Sequence, residues 1–172
     1  RIMTKRPQSL DEFWPYYLSE HRAPASRRLH FVGTAGFMTA MGVSAAMNPV
    51  RFPLAIAAAL AIGKHGLTAE REARPLKHVA AMILLPTLAA PLTFPAGVVF
   101  AYACAWVGHF KIEGNRPATF QYPLMSAASD FRMWYHMAKG KLWSGDPLEE
   151  LELDEPLLYP AAVVVETAVA AE

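Results

Sequence analysis

The chain has 172 residues, of which 53% are hydrophobic and only 18% are charged, and its formal net charge is +1. About a quarter of the residues of a soluble domain are charged. This composition therefore excludes a disordered chain, a coiled coil and a polar nucleic-acid-binding module, and it is typical of an integral membrane protein. The single cysteine excludes an intramolecular disulfide and a zinc finger.

The N-terminal segment predicts an amphipathic helix over residues 11–21, which is rich in aromatic side chains. Ser9 and Glu12 have the spacing of a capping box at its start. Such a helix is typical of a segment that lies at the membrane surface, and packing over the ends of the membrane spans is the alternative. The chain begins at Arg1, which fits either a cloning scar or an end left after removal of a targeting segment.

Four uncharged stretches are predicted to cross the membrane as two helical hairpins: residues 29–50, 52–63, 79–90 and 95–110. The second covers only about 18 Å of a hydrocarbon core about 30 Å thick, so it needs tilt, local thinning or help from its flanks. The last two divide one long apolar run, which is interrupted by Pro91 and Pro95.

The distribution of charge supports four spans. With the N-terminus, the 64–78 loop and the C-terminus on one side, fifteen of the 16 basic residues share that side and only Arg51 lies opposite. This asymmetry is what the positive-inside rule predicts. A soluble protein with very apolar core helices is the alternative. The sequence therefore predicts an all-α integral membrane protein with amphipathic interfacial helices at both ends.

The second amphipathic helix is predicted over residues 124–139, and an acidic tail follows it. All basic residues lie in residues 1–141, which have a charge balance of +9, whereas residues 142–172 carry −8. We predict a four-span membrane domain over 1–141 and an extended acidic C-terminal tail over 142–172. Its apolar end, residues 161–172, is either disordered or an arm that packs on a partner.

All six histidines fall on the basic side of this topology or at its boundary. His30 begins the first span and His109 ends the fourth, so the two approach each other at similar depth, and Glu113 follows His109 on the same face if an α-helix continues. Imidazoles and a carboxylate with open positions suit non-haem Fe(II), zinc accepts the same ligands, and helix capping is the structural alternative. Arg116 and Arg132 are candidates for binding a carboxylate head group, with ion pairing or phospholipid contact as the alternatives.

Two stretches resemble the motifs of a known family. Residues 17–34 read YLSEHRAPASRRLHFVGT, and residues 106–123 read WVGHFKIEGNRPATFQYP. They resemble the opening and closing motifs of the small membrane family that includes the fungal 2-hydroxy fatty acid dioxygenase. The resemblance covers about residues 9–140, in order.

The resemblance implies a membrane enzyme that uses Fe(II) and O₂ to shorten a 2-hydroxy fatty acid by one carbon. Carried over to matching positions, it points to His21, His30 and His109 as iron ligands and to Glu113 as a fourth ligand or as a partner that fixes an imidazole. The substrate oxygens would bind the iron, and the acyl chain would lie among the spans. The implied location is the endoplasmic reticulum, whereas a processed start would fit the mitochondrial inner membrane.

The chain departs from the family where asparagines are usual, at Ala23 and Ser26. If either amide orients a ligand or the substrate, its loss weakens catalysis. These departures and the tail leave an alternative function open, that of a non-catalytic accessory subunit docked in a larger membrane complex. Lipid substrates and membrane phospholipids are the expected partners, and nucleic acid is not.

Overall fold

The structure, a computed structural model, describes residues 6–156, and the regular elements in that range are all helices or helical turns. Seven α-helices follow one another: α1 (Leu10–Ser19), α2 (Pro24–Met47), α3 (Arg51–Glu70), α4 (Leu76–Ala89), α5 (Thr93–Val107), α6 (Pro123–Ala138) and α7 (Pro147–Glu150). A π-helical turn, Gly108–Glu113, continues α5, and a 3₁₀ turn, Ala118–Phe120, precedes α6. The all-α class predicted from the sequence is confirmed.

Within the described residues three helices are long and apolar enough to cross a membrane: Pro24–Met47, Arg51–Glu70 and Thr93–Glu113. Helix α4 is apolar but has only 14 residues, which is about 21 Å of helix. The predicted second span is longer than expected, because α3 continues through Lys64 and His65 to the next turn of the chain. In place of four equivalent helices, the described residues thus form three helices of membrane-spanning length and one shorter apolar helix.

Helices α2 to α5 pack as two antiparallel pairs, α2 with α5 and α3 with α4. Small residues bring α2 and α5 together: a Cβ on Gly33 would lie 3.0 Å from Cβ of Cys104, and one on Gly97 would lie 2.5 Å from Cβ of Ala40. A larger residue at Gly97 would therefore force the helices apart, and one at Gly33 would require a small shift of its neighbours. The pairing leaves a space between the two pairs.

Helices α1 and α6 form a cap over one end of the four helices. The first hydrogen bond of the expected capping box is present: the Glu12 N–H donates to Ser9 Oγ at 3.1 Å. Phe13, Trp14 and Tyr17 of α1 are almost completely buried, so these aromatic residues pack inside the protein and not against lipid head groups. The apolar face of the predicted interfacial helix is therefore used for internal packing.

Glu70 joins the end of α3 to the start of α6. Its carboxylate is fully buried and accepts the backbone N–H groups of Leu124, at 3.0 Å, and Met125, at 2.7 Å. The first N–H groups of a helix have no partner within the helix. Glu70 supplies those partners, and it lies where the helix dipole favours a negative charge.

The described part of the tail, residues 142–156, folds back on α1 and on the start of α2. Leu142 and Leu148 are buried in the same apolar cluster as Phe13. The fully buried guanidinium of Arg27 donates five hydrogen bonds to this region, and the acceptors are the carbonyl oxygens of His21, Arg22, Leu142, Ser144 and Gly145. The predicted docking arm, residues 161–172, lies outside the described residues.

Candidate metal centre

Three histidines meet beneath the cap formed by α1 and α6. His21 lies between α1 and α2, His30 lies in the second turn of α2, and His109 lies in the π-helical turn that ends α5. Their exposed fractions are 1%, 4% and 3%. The approach of His30 to His109 predicted from the span boundaries is confirmed, and His21 completes the group.

The three imidazoles are close enough to share one ion. Their ring centroids are separated by 4.5 Å for His21 and His30, 4.6 Å for His21 and His109, and 5.2 Å for His30 and His109. One ligand atom from each lies within 4.8 Å of the other two. Buried histidines at this separation can hold a metal ion.

Each ring uses its Nδ1 in a hydrogen bond to an oxygen. His21 Nδ1 lies 2.6 Å from the carbonyl oxygen of Tyr17, His30 Nδ1 lies 2.6 Å from Oδ1 of Asp130, and His109 Nδ1 lies 2.7 Å from Oδ1 of Asn115. A carbonyl, a carboxylate and an amide oxygen are acceptors, so Nδ1 is the donor in each ring, and in a neutral imidazole held in this way the lone pair is on Nε2.

The surroundings of the Nε2 atoms indicate whether the three histidines fit a metal ion. Nε2 of His21 and of His30 are buried and have no hydrogen-bond partner. A buried polar atom without a partner is costly. Histidine ligands of metals characteristically donate their other N–H to a carboxylate or a carbonyl, which fixes the tautomer. The donor set and its outer hydrogen bonds therefore fit a metal ion.

Electrostatics keep His21 and Tyr17 neutral. Burial, reinforced by the neighbouring His30 and His109, lowers the pKa of His21 well below its ordinary value. Burial and the nearby Asp130 raise the pKa of Tyr17, so its hydroxyl stays protonated and donates to Asp130 Oδ1 at 2.6 Å. A neutral imidazole is the form that binds a metal.

Asn115 and Asp130 hold the rings of His109 and His30. The amide of Asn115 has one possible orientation, because its Nδ2 donates to Glu20, at 2.8 Å to the carbonyl oxygen and 3.0 Å to Oε2. Asp130 accepts from both Tyr17 and His30. Two helices of the cap thus orient the histidines from outside the cluster.

The π-helical turn decides where Glu113 lies. The sequence argument placed Glu113 beside His109 through the spacing of an α-helix, but a π-helix repeats after about five residues. The Glu113 carboxylate instead accepts the backbone N–H of Ala23 at 3.0 Å. The structure does not bring Glu113 into the group of three histidines.

The two candidate arginines lie away from the histidines. Arg116 is exposed, with its guanidinium 4.9 Å from the ring centroid of Phe120. Arg132 forms an ion pair with Asp11 at 2.7 Å and lies over the ring of Trp14. Neither guanidinium lines the space beside the histidines.

That space is a cavity of about 300 Å³ between the two helix pairs. His21, His30 and His109 line one end, and mostly apolar side chains line the rest. Among the described residues that line it, Asp130 is the only acid, and there is no lysine or arginine. The cavity suits an apolar chain whose polar end reaches the histidines.

The departures at Ala23 and Ser26 have local structural effects. Ala23 is the N-cap of α2, has extended φ and ψ of −74° and 125°, and provides no side-chain cap. An asparagine at that position would cap the helix. Ser26 is fully buried against Gly108, where α2 meets the π-helical turn. A larger side chain there would need different packing.

Sequence reasoning missed Tyr17, Asn115 and Asp130. Tyr17 and Asn115 lie in the two stretches that carry the family resemblance, four residues before His21 and six residues after His109. Asp130 lies about two turns into the helix that follows the closing motif. A search of those stretches for hydrogen-bonding partners of histidine could have found the first two.

Comparisons with known proteins agree with the resemblance. A family model described as 2-hydroxy-palmitic acid dioxygenase Mpo1-like matches residues 7–142. Comparison with curated proteins gave no match, and neither did comparison with solved structures. The matched range includes the three histidines and the side chains that orient them.

Proposed function

The chain belongs to the 2-hydroxy-palmitic acid dioxygenase Mpo1-like family, and on this premise we propose that it is an iron-dependent membrane dioxygenase that shortens 2-hydroxy fatty acids by one carbon. The observation that carries the proposal is the buried group of His21, His30 and His109, whose Nε2 atoms are left free by hydrogen bonds at every Nδ1. Their position at one end of an apolar cavity supports a fatty-acyl substrate.

The balance of the reaction is simple. One 2-hydroxy acid and one O₂ give one fatty acid shorter by one carbon, one CO₂ and one water. The bond between the carboxyl carbon and the hydroxyl-bearing carbon breaks, the substrate gives up four electrons, and O₂ accepts them. A ferrous ion held by His21, His30 and His109 would supply a redox-active positive centre with open positions for oxygen ligands.

The residues of the chain would bind and orient the reactants. The apolar walls would bind the acyl chain and exclude water from the histidine end. Among the described residues that line the cavity, no lysine or arginine can balance the substrate carboxylate, so we assign that role to the ion. The carbonyl oxygen of Tyr17 and the amide oxygen of Asn115 accept hydrogen bonds from Nδ1 of His21 and of His109. Asp130 accepts the hydrogen bond from Nδ1 of His30. These bonds would leave each Nε2 available to bind the ion.

We further propose that α4 is a fourth span, so that α2 to α5 cross the membrane as two hairpins. The antiparallel packing of α2 with α5 and of α3 with α4, and the sharing of one side by fifteen of the 16 basic residues, support this topology. The short α4 would then sit in a locally thinned bilayer. The histidines would lie close to the basic side.

The test measures iron content and turnover together. Detergent-purified chain is loaded anaerobically with Fe(II), and 2-hydroxypalmitate and O₂ are supplied. We expect about one iron per chain, with equal molar amounts of O₂ consumed and of shortened acid formed. His30→Ala should lose both the iron and the activity, because two imidazoles hold iron much more weakly than three.

A matched control is available in the same chain. His65 is an exposed histidine outside the group, so His65→Ala should keep both iron and activity. Loading with Zn(II) in place of Fe(II) should fill the same site without turnover, because zinc has no redox chemistry. Turnover by His30→Ala at the wild-type rate would refute the assignment.

A further inference from the structure

The cavity has a defined long axis. Along α2 it is lined by His30, Thr34, Phe37 and Met41, which are spaced three or four residues apart and therefore share one face. From His30 to Met41 the helix rises by about 16 Å. An acyl chain with its polar end at the histidines would extend along this face towards Met41.

A second apolar cavity, shallow and open to the surface, borders the first one. It is lined by Met41, Gly42, Ala45, Phe52, Pro53 and Ile56. Met41 and Ile56 are the two residues that border both cavities. Their side chains, one from α2 and one from α3, separate the enclosed apolar space from the open one.

We propose that Met41 and Ile56 form the stop that sets the longest acyl chain the protein accepts. This inference rests on the proposed function, since it assigns the acyl chain to the first cavity. A chain that fits between the histidines and Met41 is bound along its whole length. A longer chain must displace these side chains or leave methylene groups outside the cavity.

The chemistry of the two side chains is consistent with a stop between apolar spaces. Neither carries a polar atom that would need a partner on either side, and the methionine thioether is flexible enough to fill an irregular gap. Both side chains pack against a buried cluster that includes Phe52 and Phe94, whose ring centroids are 5.9 Å apart. Removing both side chains would join the cavities, and the longer space would admit additional methylene groups.

The experiment compares the full chain with the double variant Met41→Ala, Ile56→Ala. Binding is measured by displacement of a fluorescent fatty acid with 2-hydroxy acids of graded length, from lauric to lignoceric, and turnover of the same series is measured in parallel. In the wild type we expect affinity to rise with length and then to stop rising. In the double variant that limit should move to longer acids, with about a fourfold gain for each methylene that becomes buried.

Two further variants separate the stop from general loosening of the core. Met38→Ala removes a methionine from the same helix at a position that borders neither cavity, and it should keep the wild-type limit. Gly42 borders the second cavity, and a Cβ there meets nothing within 4 Å. Adding Gly42→Leu to the double variant should fill the new space and restore the wild-type limit.

The outcomes distinguish the two proposals. An unchanged length limit in a double variant that binds the fluorescent acid would overturn the stop, whatever the turnover. A shifted binding limit without turnover in the wild type would overturn the dioxygenase assignment and leave the stop supported. Failure of the wild type to bind the fluorescent acid would overturn both.

Discussion

Arg27→Lys tests how the buried guanidinium holds the tail and the start of α2 together. The guanidinium uses five N–H groups on five carbonyl oxygens. A lysine ammonium keeps the charge but has only three donors, so at least two carbonyls lose their partners. Each buried carbonyl left without a donor costs about 1–3 kcal/mol, and we expect a loss of about 2–6 kcal/mol in the free energy of unfolding.

The assay is thermal unfolding of the detergent-purified chain, with Arg28→Lys as the matched control. Arg28 is the next residue, is exposed and donates to a single carbonyl, that of Trp143. For a chain of this size 2 kcal/mol lowers the Tm by about 4–8 °C, so Arg27→Lys should fall by at least about 4 °C while the control changes little. Equal shifts in the two variants would refute the reasoning, because the charge and chemistry of the substitution are the same.

Three other predictions concern single contacts. Ala23→Asn should raise the free energy of unfolding by about 0.5–2 kcal/mol, because it caps a helix that has no side-chain cap. Ala25→Asn, two residues further along, should not raise it. Denaturant titration measures the free energy of unfolding of both variants. Glu70→Gln should lower the free energy of unfolding by about 1.5–3 kcal/mol, because an amide oxygen replaces a carboxylate that accepts two N–H groups. The matched control is Glu72→Gln, at an exposed position. Equal effects of the two substitutions would contradict the role assigned to Glu70. Asn115→Leu should weaken iron binding by about 10- to 100-fold, because it frees the ring of His109; an unchanged affinity in an anaerobic Fe(II) titration would contradict that.

The sequence predicted the helical class and most of the apolar helices because hydropathy is a local property. It did not predict which helices pair. That choice depends on close approaches between distant small residues, such as Gly33 with Cys104 and Gly97 with Ala40. The hydropathy pattern along one helix contains no information about such a contact between two helices. The extension of α3 to Glu70 was missed for a similar reason, because the partner groups that stabilise that end come from α6.

The site was predictable where histidines stand at span boundaries, as His30 and His109 do. The position of Glu113 was not, because the argument assumed an α-helix and the chain forms a π-helical turn after Val107. Asn115 and Asp130 can orient His109 and His30 only because of the positions at which α1 and α6 pack over the ends of the other helices. Those positions follow from burial of the aromatic cluster, which the sequence indicates only as two amphipathic patterns.

The pairing of α2 with α5 has a consequence for biogenesis. His30 and the carboxylate that orients it are 100 residues apart in the chain, and His109 follows three of the apolar helices. During synthesis α2 is therefore made without its main partner, which becomes available only when α5 has been translated. An unfinished chain lacks the third imidazole and the cap, so the group of three histidines forms only when the elements that enclose it are also complete.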